Sequence, residues 1–155
     1  MTRDEFRGLY PFIFQGRVEW ADMDAFQHVN NTIYFRYFER ARIAFFERVG
    51  IIAHQREHGI GPILHSTRCR FRAPLSYPDA IDIGTYIGEV RADRFLMHYG
   101  IYSDGLGKLA AEGDGMLVYY DYRKGEKAAI PERIRASLAE FSGVPCATKP
   151  PGRST

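Results

Sequence analysis

"NNTIYFRYFERARIAFFERVG", residues 30–50, decides the fold of this 155-residue chain. Tyr34, Tyr37, Phe38, Ala41, Ala44, Phe45 and Val49 recur at steps of three and four, while Arg36, Arg40 and Glu47 fall on another face, which is the period of an α-helix. The spacing predicts a helix of about 18 to 20 residues, roughly 30 Å long. Asn30 or Asn31 can cap its start and Gly50 can close it. Ile33, Phe35, Ile43 and Phe46 lie outside the main stripe, so apolar groups cover more than half of its surface. Such a helix is expected to be largely enclosed by other elements.

The flanking sequence supplies strands. Upstream, "GRVEWAD" alternates Val18 and Trp20 against Arg17 and Glu19, a half-buried strand expected to end near Asp22. Downstream, after a looser "HQREHGIGP", the period of two returns. In "HSTRCRFRAP" Thr67, Cys69 and Phe71 face one way and Arg68, Arg70 and Arg72 the other, giving that strand a solvated or ligand-facing side. "AIDIGTYIGEV" sets Ile81, Ile83, Thr85 and Ile87 against Asp82, Gly84 and Tyr86. "RFLMHYGIYS" and "KLAAEGDGMLVYYDY" follow across the turn signal "SDGLG", which predicts an antiparallel meander. Gly113 and Gly115 suggest a bulge or bend in the last strand. "PERIRASLAEF" predicts a short helix with Pro131 at its first position. The order is strand, long apolar helix, four strands and a short helix: an α+β domain with one antiparallel sheet curled around a helix. Residues 1–142 are expected to form a single domain, and 143–155, rich in proline and small polar residues, a disordered tail.

Bulk properties narrow the function. A chain of this length can bury roughly 70% of its unfolded surface, enough for a real core. Hydrophobic residues make up 45% and charged residues 26% of the chain. The net charge of +2, from 21 basic and 19 acidic residues, is far from the concentrated positive field of a nucleic-acid binder. The N-terminus carries only a five-residue apolar patch, too short for a signal segment, and nothing approaches the roughly 20 apolar residues of a membrane span. A soluble, cytoplasmic protein is expected. Cys69 and Cys146 sit in no Cys/His cluster and read as free thiols.

Chemistry concentrates in "DMDAFQHVNN", residues 22–31, where two acids, a histidine and two asparagines precede the helix. A turn in which Asp22, Asp24 and Asn30 cap backbone groups would account for the acids and amides. Asp-x-Asp also occurs in phosphatases that form an aspartyl phosphate, but their first acid follows an all-apolar strand, and "RVEWA" is half charged. A metal site from Asp22, Asp24 and His28 lacks a second ligand cluster, because His54, His58, His65 and His98 are scattered. A histidine and two asparagines opening so apolar a helix favour an active site, with Asp22 structural.

With these elements in place, the sequence resembles the hotdog-fold acyl-CoA thioesterases, particularly the 4-hydroxybenzoyl-CoA thioesterase-like family. The likeness is carried by "WADMDAFQHVNNTIYFRYFERAR" (20–42), "FRAPLSYPDAIDIGTYIGEVRADRF" (71–95) and "GKLAAEGDGMLVYYDYRKGEKAAIP" (107–131). It implies a sheet wrapped around a central helix, a homodimer with a continuous sheet, a dimer of dimers above it, and an active site at the dimer interface without cofactor or metal. By position, Asp24 matches the family's catalytic carboxylate and the backbone N–H near Asn31 the donor that polarises the thioester carbonyl. His28 and Asn30 match members carrying HVNN. Where the 4-hydroxybenzoyl type has glycine, this chain has Gln27. The His-Phe-Pro type signature of hotdog hydratases is absent.

Thioester hydrolysis needs a base or nucleophile, an oxyanion donor and a shielded acyl channel. Asp24 could deprotonate water or attack directly, and the helix start supplies unpaired N–H groups and about half a positive charge. His28 takes a supporting role. Tyr34, Phe35 and Phe38 could wall the acyl chain, though core is their default. Arg91 and Arg94 in "VRADRF" are candidates for the phosphates of an acyl-CoA substrate. A non-enzymatic acyl-CoA-binding dimer and an acyl-carrier-protein thioesterase are the alternatives.

Overall fold

The computed structural model describes residues 1–143. Its axis is helix α2, Asn31–Val49, preceded by α1 (Arg3–Leu9) and β1 (Phe12–Val18) and followed by α3 (Ile51–His58). Then come β2 (Ile60–Phe71), β3 (Asp79–Val90), β4 (Arg94–Ser103), β5 (Lys108–Asp121), the two-residue β6 (Glu126–Lys127) and α4 (Glu132–Glu140). Of the expected tail only Gly143 is described, its N–H donating to Ile87 O at 3.0 Å; the remainder, with Cys146, lies outside the described residues. Among the described residues no helix is long and apolar enough to cross a membrane.

The capping physics of α2 is as the sequence implies. Asn30 is its N-cap, and Gly50 ends it at φ 86°, a left-handed conformation that glycine adopts without the side-chain clash. Tyr34, Tyr37, Phe38, Ala41, Phe45 and Val49 are buried as one stripe, joined by Phe46. Each large side chain removed from water contributes about 1.5–3 kcal/mol. Enclosure is one-sided within a single chain, since Ile43 stays 43% exposed.

All strands are antiparallel, in the order β1-β3-β4-β5-β2, with β6 on β5. The meander is confined to β3, β4 and β5; β2 does not continue into it but pairs with β5 at the far edge, so the β2–β3 connection crosses the end of the helix. Ile81, Ile83 and Ile87 of β3, Phe95, Met97, Tyr99 and Ile101 of β4, and Leu117 and Tyr119 of β5 pack against α2 in one core. This is the expected α+β arrangement, a long helix gripped by a curled antiparallel sheet.

Three local expectations are revised, and three elements are added: α1, α3 where the sequence reads as a looser stretch, and the two-residue β6. The first strand starts at Phe12 and stops at Val18, because Glu19–Asp22 turns into a 3₁₀ segment in which the Glu19 N–H donates to Asp22 Oδ2 at 2.9 Å; Trp20 is left 72% exposed. The extra residues are His65 of β2, between Leu64 and Ser66, and Ala110 of β5, opposite Ile101/Tyr102 of β4, with a further register shift between Ile87 and Val90 of β3, and none lies at Gly113 or Gly115. Gly113 instead makes room for a ring, since a Cβ there would sit 2.7 Å from Phe38 Cε2. Pro131 is the N-cap of α4, one position before the expected one. Of the added elements, α1 lies on the outer sheet face, held by Arg7 Nε to Asp82 Oδ2 at 2.9 Å and by Phe6 and Tyr10 over Gly84 and Gly100.

Candidate active site

The segment between β1 and α2 is a closed loop. Met23 bridges Val29, the Asp24 N–H donates to His28 O at 2.9 Å and the Gln27 N–H to Asp24 O at 3.0 Å. Gln27 closes it at φ 61°, a left-handed conformation costing a side-chain-bearing residue about 1–2 kcal/mol. That is the position at which the 4-hydroxybenzoyl type carries glycine. Outside contacts hold the loop in place: Val29 N–H to Leu75 O at 2.8 Å, Asn30 N–H to Asp22 O at 3.0 Å, and Ser76 Oγ to Gln27 O at 3.2 Å. Phe26 stands at the tip, 83% exposed.

Asp22 is the buried footing. Its Oδ2 accepts from the Tyr37 hydroxyl at 2.8 Å as well as from Glu19. Burial, followed by that hydrogen bond to a carboxylate, pushes the Tyr37 phenol up. Asp24 is only half-buried; its Oδ1 accepts from the Phe26 N–H at 2.8 Å, and Oδ2 has no partner among the described residues.

The first turn of α2 shares out its donors unevenly. The Thr32 N–H is capped by Asn30 Oδ1 at 2.9 Å, and the Ile33 N–H bonds Asn30 O at 2.9 Å. The Asn31 N–H is bonded to nothing among the described residues. It stands at the electropositive helix end, where an anionic oxygen is stabilised. Beside it opens a groove of about 310 Å³ lined by His28, Asn31, Tyr34, Phe71, Arg72 and Pro74, among others.

Tyr34 fixes the opposite wall. Its hydroxyl accepts from the Leu75 N–H at 3.2 Å and donates to Ala73 O at 3.4 Å, and its ring meets Phe71 edge-on at 4.9 Å. Burial raises the Tyr34 phenol, with the Leu75 hydrogen bond opposing. The bulge carbonyl of Ala110 takes the N–H groups of Arg72 and Ala73 at 2.8 and 3.0 Å, turning the chain over the helix start.

One chain thus brings His28, Asn31 and Tyr34 to one groove, with Asn30 as the cap and Asp24 at the base of the adjoining loop but not among the groove-lining residues. Phe38 is core, stacked on Tyr99 at 4.7 Å. Arg91 and Arg94 sit in the β3–β4 turn, paired with Glu89 and Asp93, beside α4 through Arg135 to Arg91 O at 2.8 Å. That is the opposite end of the sheet from Asn31. Arg42 escaped the sequence reading; it is 8% exposed and donates to the Tyr99 hydroxyl at 3.1 Å, whereas the sequence places Arg72 only in a solvated or ligand-facing row, its approach to Asn31 depending on the β2–β3 crossover. The helical step from Phe38 was the available signal for Arg42. No group of three or more His, Cys, Asp or Glu that could hold a metal occurs among the described residues.

A helix start with one open N–H, set in a curled antiparallel sheet beside a His-bearing loop, defines the class as a hotdog protein of thioesterase type. Residues 18–138 match the model of the thioesterase-like superfamily, and the chain belongs to that family. A protein of Aquifex aeolicus, provisionally named an esterase, is 27% identical over 84% of this chain and 99% of its own length. Among solved structures, PA2801 of Pseudomonas aeruginosa, provisionally named a thioesterase, is 27% identical with a TM-score of 0.74, covering 84% of this chain and 98% of that one. SAV2348 of Staphylococcus aureus, solved in complex with CoA, shares the fold at a TM-score of 0.79 and 17% identity, over 84% of this chain and 82% of its own.

Proposed function

We propose that this protein is a cytoplasmic acyl-CoA thioesterase. The observation that carries the reading is the unspent Asn31 N–H at the mouth of a groove shared with His28. The thioester carbonyl docks on that N–H, where charge developing on oxygen meets a fixed donor and the helix dipole; such a donor contributes roughly 3–4 kcal/mol to lowering the barrier. Asp24, with one carboxylate oxygen uncommitted among the described residues, deprotonates the attacking water and passes that proton to the departing CoA thiolate. Or it adds to the carbonyl itself, giving a mixed anhydride and a thiolate that takes a proton from solvent, after which water hydrolyses the anhydride to the free acid and restores the carboxylate. His28 orients the water or the carbonyl. Asn30 caps the helix with its oxygen and keeps its Nδ2 donors for the substrate, while Tyr34 and, more deeply, Phe38 shape the acyl wall.

A second copy completes the site. β2 is one of the two edge strands, twelve residues long with one edge unpaired among the described residues, and an edge of that length is a template for pairing with another chain. Two protomers joined there make the continuous sheet of a homodimer, which then pairs as a dimer of dimers.

The test is a panel of acyl-CoAs with a thiol reagent that reads released CoA. Burial pushes the Cys69 thiol up to about 12, so it stays protonated and silent in that assay near neutral pH. Hydrolysis is expected, with Asp24→Asn slower by at least about 100-fold. Tight CoA binding without turnover would instead make the protein a binding module, and an Asp24→Asn variant within a few-fold of wild type would remove Asp24 from its role.

A further inference from the structure

The arginine row of β2 is not used by the chemistry above. Arg68, Arg70 and Arg72 project from the outer sheet face, where registered neighbours extend each position into a ladder across the strands. Arg68 stands opposite Asp114, then His98, then Tyr86; Arg70 stands opposite Glu112, then Gly100, then Gly84. Registered residues of antiparallel strands share a face. The two glycines leave a trough into which α1 lowers Tyr10, whose ring lies 5.5 Å from Tyr86, itself stacked on His98 at 4.6 Å.

Between these rows lies a cleft of about 470 Å³, lined by Tyr10, Arg68, Arg70, Tyr86, Glu112 and Asp114, among others. Both of its acids are already engaged: Arg68 Nε holds Asp114 Oδ2 at 2.7 Å, and Arg72 holds Glu112. Arg70 has neither an ion pair nor a hydrogen bond among the described residues. The cleft's lining holds two guanidiniums and two carboxylates, but Glu112 is neutralised from outside by Arg72, so the charge of Arg70 is left over, and aromatic rings stand next to it. A planar base carrying phosphate complements that pairing. The cleft also adjoins the candidate active site, because Arg72 lines the groove at Asn31 and its partner Glu112 lines the cleft. Two residues of strand, about 7 Å, separate Arg72 from Arg70.

We propose that this cleft receives the phosphorylated nucleotide of the CoA thioester, Arg70 and Arg68 taking phosphate and Tyr10 and Tyr86 flanking the base, with the pantetheine arm passing Arg72 to the Asn31 N–H. The proposal rests on the acyl-CoA reading and selects CoA over a carrier protein, whose phosphopantetheine has no nucleotide. It also places phosphate recognition on β2 instead of on Arg91 and Arg94.

Equilibrium binding of CoA, adenosine 3′,5′-bisphosphate and inorganic phosphate to the intact chain tests it, on wild type, Arg70→Glu, Arg91→Glu and Arg94→Glu, with thermal melting to check folding and Arg70→Gln as the milder variant. CoA and the bisphosphate are expected to bind wild type and to weaken about 10- to 100-fold on Arg70→Glu, as for loss of one charge-assisted hydrogen bond, while the other two variants bind as wild type. Affinity unchanged in both Arg70 variants, or lost in the Arg91 and Arg94 variants instead, overturns the proposal. In turnover, Arg70→Glu should raise KM for an acyl-CoA without lowering kcat and leave an acyl-pantetheine unaffected; equal damage to both substrates would also overturn it. Hydrolysis without Arg70-dependent nucleotide binding removes the cleft and keeps the thioesterase, whereas Arg70-dependent CoA binding without hydrolysis does the reverse.

Discussion

Replacing Tyr37 with phenylalanine removes one oxygen from the structure and should cost far more than an average surface change. That oxygen donates at 2.8 Å to Asp22 Oδ2, in a residue pair that is 0% and 9% exposed. A hydrogen bond to a charged group contributes about 1.5–3 kcal/mol, and the loss leaves a buried carboxylate short of one of its two side-chain-directed donors. The ring remains, so its packing with Tyr34 at 6.2 Å is kept and no side-chain-sized cavity opens. The expected loss is about 2 kcal/mol, or about 4–8 °C in melting temperature for a chain of this size. Urea unfolding of wild type, Tyr37→Phe, Asp22→Asn and the double variant measures it, and the cycle should return a coupling of at least about 1 kcal/mol between the two sites. A single-variant loss below about 0.5 kcal/mol, within the range of ordinary surface substitutions, or strict additivity in the cycle, would refute the view that Asp22 is held by Tyr37 and anchors the loop.

Asn30→Ala should lower stability by about 1 kcal/mol through loss of the Thr32 cap, whereas Asn30→Asp keeps the cap and loses only the Nδ2 donors; equal melting of wild type and Asn30→Ala would count against it. Gly113→Ala should destabilise by about 1–3 kcal/mol, because its Cβ would meet Arg68 O at 2.3 Å as well as the Phe38 ring; an unshifted urea midpoint would contradict that packing. Alkaline pH supplies a further test. Burial raises the phenols of Tyr10, Tyr34, Tyr37, Tyr99 and Tyr119, so the folded state holds protons that the unfolded chain releases near pH ~10. Their stabilising contribution is complete below that value and is lost as pH rises through the folded values. Urea midpoints should fall as pH rises above about 10, with phenolate absorbance appearing together with unfolding; a flat profile would argue against the burial.

What could be read from the sequence was what depends on near neighbours. α2, its caps and the His28–Asn31 approach are fixed by short spacings, and the ends of α2 fall where Asn30 and Gly50 indicate. β3, β4 and β5 were legible because hairpins pair consecutive segments. The place of β2 was not, since its pairing with β5 runs from Phe71↔Ala111 to Ile60↔Asp121, far apart in sequence, and leaves no local trace. Nor was Trp20's exposure: alternation favoured a strand, but Asp22 bonding back to Glu19 outweighed it. α1 carried an unread signal, the reciprocal Thr2–Glu5 capping box. Arg42 was passed over because a charge on an apolar stripe suggests an error of phase, whereas its long stem lets it lie along that stripe to reach a hydroxyl.

The allotment of amide hydrogens at the head of α2 has a consequence for how such a protein can change over evolutionary time. The residue at position 30 satisfies the second and third amides and leaves the first open. Sturdiness of the rod and readiness of its tip therefore draw on different atoms, and mutation can strengthen one without blunting the other.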